Sequence, residues 1–115
     1  MLSQLDKAHT LAERFGGWQD GEFAPGGVFV SRIAEEYGTP FYLYNGEMII
    51  DRVRRVRIAL GGDVEVTYSV KANPNLAVCQ LIARERLTGA EVASSGELVV
   101  TRAAGFASTY ACSVG

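Results

Sequence analysis

The sequence predicts an α/β fold built on parallel strands, and three observations carry that expectation. From residue 64 onward, short runs of β-branched and aromatic residues alternate with runs whose apolar residues recur at three and four. Turn-forming residues mark the junctions, at Gly61-Gly62, Pro74, Ser94-Ser95-Gly96 and Gly105. The resulting order, strand, helix, strand, helix, strand, is the one that right-handed crossovers between parallel strands produce. A doubly wound sheet and a (β/α)8 barrel both fit this order. A full barrel takes about 250 residues, and the chain has 115, so it is expected to be a fragment or truncated product with the first few units only.

The elements follow in order. Residues 3–15 have Leu5, Leu11 and Ala12 on one side, which predicts a short amphipathic helix ended by Gly16-Gly17. Residues 21–27 hold Pro25 and three glycines and read as a loop. Phe29, Ile33, Ala34 and Tyr37 stand at helical spacing, with Gly38 and Pro40 as stops. Residues 41–44 read as a short strand. Asn45 is a candidate N-cap for a helix to Leu60, with Ile49, Val53, Val56 and Leu60 inward.

Residues 64–70 (VEVTYSV) predict a strand and KANPN a turn. Residues 76–86 predict a helix with Leu76, Cys79, Ile82 and Ala83 inward. Residues 90–93 predict a strand. Ser95 is expected to cap a helix that runs through residues 98–104 to Gly105, and residues 108–114 predict a last strand.

Composition narrows the function. Hydrophobic residues make up 48% and the formal charge is -2, as in an ordinary globular domain. The slight acidity gives no reason to expect nucleic acid or an anionic membrane as partner. Arg52, Arg54, Arg55 and Arg57 read as the solvated face of one helix. No apolar run reaches the roughly 18–20 residues of a membrane span, and the N-terminus has no signal-peptide core. The chain is therefore expected in the cytoplasm. Cys79 and Cys112 are expected to be reduced and buried. With one histidine, His9, expected on the surface of the arm, and two scattered cysteines, no metal site is expected.

In a parallel α/β fold of barrel type, chemistry gathers where strands end and loops begin. Lys71 follows VEVTYSV directly, and Ser94 to Glu97 follows the next strand, so both should lie on one rim. A lysine in an apolar setting is unusual. Partial burial would favour its neutral amine, the form that condenses with an aldehyde. The alternative is a strand-end lysine reaching into water. Glu91, within the strand, needs a partner if it points inward, and Lys71 is the candidate. Glu97 in a first helical turn suits the helix dipole whether or not it has a further role.

Four segments together resemble a known family. Tyr68-Ser69-Val70-Lys71-Ala72-Asn73-Pro74-Asn75 resembles the Y-x-x-K-A-N segment of the fold-type-III pyridoxal-phosphate (PLP) decarboxylases of the diaminopimelate/ornithine/arginine type. Residues 89–98 (GAEVASSGEL) resemble the G-x-D-x-x-S-x-G-E-L segment, residues 38–44 (GTPFYLY) the G-T-P-x-Y-x-Y segment, and Ala103-Ala104-Gly105-Phe106 the end of the next helix. The resemblance covers about residues 28–115.

It implies a partial (β/α)8 TIM-type barrel over residues 38–115 after an N-terminal arm of residues 1–37. It implies pyridoxal 5'-phosphate as cofactor, Lys71 as the residue that holds it as a Schiff base, and Glu91, Ser94 and Glu97 around it. Decarboxylation of an amino acid follows, by a protein that is typically a homodimer. Glu91 replaces the aspartate common in the family, as in enzymes of antibiotic and siderophore pathways, some of which act on carrier-protein-tethered amino acids. The family's ring-facing histidine, phosphate loop, acid facing the pyridine nitrogen and partner-subunit cysteine all lie further along. An alanine-racemase-like enzyme is the runner-up, although Pro74-Asn75 stands where Tyr-Gly is usual there. A non-catalytic remnant and a half that completes its barrel with another polypeptide are the further alternatives.

Overall fold

The computed structural model describes residues 3–85 and 88–112. The chain packs as two units, Met1–Asn45 and Gly46–Gly115.

In the first unit, helix α1 (Gln4–Arg14) starts on a capping box. The Ser3 hydroxyl accepts from the Asp6 amide, while the Asp6 carboxylate accepts from the Ser3 amide at 2.9 Å. A hydrogen bond donated by the Ser3 hydroxyl at 2.7 Å and then the one from the Ser3 amide hold the Asp6 carboxyl below its usual pKa. The predicted apolar side of this helix is covered only at Ala12, which is half-buried, whereas Leu5 is 73% exposed and Leu11 52%.

Residues 18–23, in part read as loop, form a hairpin of β1 (Trp18–Gln19) and β2 (Glu22–Phe23). Its two-residue turn, Asp20-Gly21, has φ 51° and 81°, the conformation that an Asp-Gly pair supplies and that matches strand twist. Trp18 stacks on His9 with ring centroids 4.6 Å apart. A 3-10 turn at Pro25–Gly27 and helix α2 (Val30–Tyr37) complete the order, and Gly38 ends α2 as expected. The strand expected over residues 41–44 does not form. A strand needs a neighbour for its backbone groups, and residues 41–44 have none among the described residues.

The second unit is a parallel sheet with helices on one face. Helix α3 (Gly46–Leu60) is followed by β3 (Val66–Ser69), a 3-10 turn (Val70–Ala72), α4 (Leu76–Arg84), β4 (Thr88–Val92), α5 (Ser95–Ala104) and β5 (Thr109–Ala111). The strands lie in the order β3-β4-β5, parallel throughout, with Ser69 opposite Glu91 and Glu91 opposite Tyr110. The predicted alternation therefore holds. The element ends differ by a few residues, and Arg86 and Val114 lie outside the described residues.

The core lies between sheet and helices. Val70, Cys79 and Ala90 are fully buried and Val92 nearly so, with Tyr68, Leu98, Val100, Ala104 and Phe106 packed around them. Three inward assignments change. Leu76 is 43% exposed, and Val78 takes the buried place on α4 instead. On α3, Ile49 and Val53 are half-buried, but Val56 and Leu60 are exposed. Of the arginine face of α3, Arg52, Arg54 and Arg55 are exposed as expected and Arg57 is half-buried; Arg54 makes a two-pronged bond to Glu85 and Arg55 pairs with Asp51. Cys112 is exposed rather than buried, because it follows β5 at the edge of the sheet.

Candidate active site at the ends of the parallel strands

Parallel pairing fixes which end of the sheet each loop occupies. Lys71 follows the C-terminal end of β3, and Ser94 to Glu97 follows that of β4. The two segments thus share one rim, as the connectivity requires. Lys71 itself is exposed, so the expected partial burial of its amine is not seen. The reason is local. The strand stops at Ser69 and Val70 turns inward into the core, completely buried, which throws Lys71 to the outside of a 3-10 turn.

The turn is tightly tied. The Asn73 amide donates to the Val70 carbonyl at 3.1 Å. The Asn73 carbonyl accepts from the Tyr68 hydroxyl at 2.9 Å and, at 3.6 Å, from the Cys79 thiol. The Asn73 side chain accepts from the Asn75 amide, and the Asn75 side chain caps α4 by accepting from the Val78 amide. Burial pushes the Cys79 thiol above its usual pKa.

Glu91 is half-buried and alternates with the core residues Ala90 and Val92. It therefore projects from the other face of the sheet, the face shared with Thr67, Ser69 and Tyr110. Tyr110 reaches from that face to Glu65, and the hydrogen bond, more than the carboxylate's charge, raises its phenol above the usual range. The expected Lys71–Glu91 ion pair is not formed among the described residues. Glu91 stands opposite Ser69, two positions before the lysine.

Ser94, not Ser95, caps α5. Its backbone is extended (φ −145°, ψ 161°) and its hydroxyl accepts from the Glu97 amide at 3.2 Å, whereas Ser95 is already helical. The Glu97 carboxylate folds back and accepts from the Ala93 amide at 2.7 Å. Both side chains thus brace the start of α5. An open groove of about 530 Å³ runs along the helix side of β4 and β5, lined by Val92, Ser94, Leu98, Arg102, Ala111 and Cys112. Lys71 is not part of it. No metal-binding group of histidine, cysteine or carboxylate residues occurs among the described residues, and none of the described helices is long and apolar enough to cross a membrane.

The sequence reading did not single out the Tyr68 hydroxyl, the Asn73 carbonyl or Asn75. Asn75 was within reach, as an asparagine directly before an apolar helix. The Tyr68 bond was not, since it joins a side chain to a backbone carbonyl five residues on.

These features define an α/β domain that presents a lysine amine and an acid, Glu91, at the C-terminal end of two paired parallel strands. Residues 47–112 match the family described as "Pyridoxal-dependent decarboxylase, pyridoxal binding domain", and the chain belongs to that family. Among its relatives, diaminopimelate decarboxylase of Bacillus subtilis is 38% identical over 76% of this chain and 20% of its own length. An L-glutamyl-(BtrI acyl-carrier protein) decarboxylase of Niallia circulans is 38% identical over 67% of this chain and 18% of its own. The crystal structure of AQ1208 from Aquifex aeolicus superposes with a TM-score of 0.77 at 29% identity, over 90% of this chain and 26% of that one. Diaminopimelate decarboxylase from M. jannaschi gives 0.64 at 33% identity, over 82% and 23%. The chain thus spans about a fifth of the length of the curated relatives it matches.

Proposed function

We propose that this chain is the opening part of a (β/α)8 barrel domain, residues 38–115 after an arm of residues 1–37, in a PLP-dependent amino-acid decarboxylase. The observation that supports this most directly is the setting of Lys71. It is the one lysine in the family-matched segment, it stands where β3 ends, and its amine is in no ion pair among the described residues.

The donor chemistry fits the cofactor. An aldehyde is held by a primary amine, and Lys71 offers one, exposed and on a braced turn. When bound, PLP supplies a sink for the electrons released as the bond between Cα and the carboxylate breaks. The chain's own residues have narrower tasks. Lys71 would hold the cofactor's aldehyde through its amine. Glu91 stands opposite Ser69, on the strand next to the one that ends at the lysine turn, and would shape the surroundings of the cofactor from there. Ser94 and Glu97 fix the start of α5, and with it the rim at which the cofactor would be held. The substrate is an α-amino acid, free or tethered to a carrier protein, and the glutamyl-carrier relative supports keeping the tethered form in view. The whole protein would act as a cytoplasmic homodimer.

The test is reductive trapping. Chain incubated with PLP and then borohydride should carry a phosphopyridoxyl group at Lys71, found by peptide mass mapping, and Lys71→Ala should carry none there. Labelling of wild type no greater at Lys71 than at Lys7 would defeat the reading and favour a non-catalytic remnant.

A further inference from the structure

Tyr68 does more than fill space beside the core. Its ring lies parallel to that of Phe106, with centroids 6.4 Å apart and 6° between the planes, a separation at which aromatic pairs attract. Its hydroxyl passes beyond the core edge and donates to the Asn73 carbonyl at 2.9 Å. Asn73 closes the turn that carries Lys71, since its amide donates to Val70 on the other side of the lysine. The phenol therefore bridges from the strand before Lys71 to the residue that ends its turn.

We propose that Tyr68 is a positioning residue for Lys71: its hydroxyl holds the Asn73 carbonyl, which keeps the 3-10 turn closed and presents the lysine amine at the strand end. The inference rests on the reading of Lys71 as the cofactor-holding residue and adds the part that aims it. Two supports act on Asn73 from the core side, the Tyr68 hydroxyl and the Cys79 thiol. The phenol is the stronger by geometry, since thiols are weak donors. Asn75 and the cap of α4 anchor the far end. Without the phenol bond, the peptide at Asn73 can rotate toward water and the turn can open without disturbing β4.

Tyr68→Phe keeps the ring and removes only the donor, and two readouts on the full chain decide the matter. The first is hydrogen exchange. The Asn73 amide should exchange about three- to ten-fold faster, the worth of one ordinary hydrogen bond, while β4 amides keep their protection. The second is the ratio of phosphopyridoxyl label at Lys71 to label at Lys7 after PLP and borohydride, which should fall by a similar factor. A merely structural role would leave that ratio unchanged, because Lys7 lies on α1 in the other unit and reports the reagent alone. Faster Asn73 exchange with an unchanged ratio overturns the positioning role, and an unchanged Asn73 amide overturns the clamp itself. If wild type shows no preference for Lys71, the cofactor reading fails and takes the positioning role with it, and the exchange experiment still shows whether the clamp exists. Should Tyr68→Phe lose β4 protection as well, Phe106→Leu, which removes the stacking support and keeps the hydroxyl, must move both readouts in the same direction or the proposal falls.

Discussion

The Tyr110 hydroxyl of β5 donates a 2.6 Å hydrogen bond to the carboxylate of Glu65, the residue just before β3, across the intervening strand β4. The bridge is open only because Gly89 stands beneath it. A β-carbon there would come within 2.9 Å of the Tyr110 ring and 3.3 Å of the Ser108 carbonyl oxygen.

Gly89→Ala should therefore destabilise the second unit by about 1–3 kcal/mol, the usual cost of forcing atoms into filled space. Urea denaturation followed by circular dichroism would measure it. Adding Tyr110→Ala should restore part of the loss, because the nearer clash is with the ring. Wild-type stability in Gly89→Ala would mean the ring does not lie over β4.

The same bond has a pH signature. Glu65 raises the pKa of the Tyr110 phenol in the folded chain above its unfolded value near 10. Folding thus favours the protonated phenol. Its contribution is fully present below the unfolded pKa and is lost as pH rises through the raised, folded one. Tyr110→Phe should be less stable than wild type at pH 8, and the gap should close in melts taken above pH 10. A gap that widens with pH would contradict the hydrogen bond.

The two cysteines should differ sharply toward a thiol reagent. Cys112 is exposed, whereas Cys79 is buried and its thiol is held in the protonated form by burial. One equivalent should react quickly under native conditions and the second only on unfolding. Peptide mapping of the first label should give Cys112.

Ser94→Ala removes the side-chain cap of α5 and should cost about 1 kcal/mol, whereas Ser95→Ala should cost little. Equal losses in a denaturation series would restore Ser95 as the cap.

Much of the second unit could be read in the sequence because its signals are local. The alternation of strand and helix, the KANPN turn and the glycine stops each occupy a few adjacent residues, and β3, α4, β4 and α5 appear where those signals place them. The shared rim of Lys71 and Glu97 followed from connectivity alone. What failed depended on distance. Whether residues 41–44 become a strand is decided by a neighbour, and whether Lys71 is buried is decided by which of Val70 and Lys71 the turn directs inward. The choice between Ser94 and Ser95 as cap turned on a single backbone angle pair. The Asp20-Gly21 hairpin is the exception, a local signal that was in the sequence and was absorbed into a reading of general looseness.

The three-stranded sheet has one further consequence. β4 is bonded on both sides, but among the described residues β3 and β5 are each bonded on one side only. Such rims invite pairing with strands of other molecules unless charge or a bulge discourages it. β5, with Thr109, Tyr110 and Ala111 all exposed and none of them charged, is the less defended. Concentrated solutions of this chain should accordingly self-associate through β5, and a lysine introduced by Thr109→Lys should keep light scattering low.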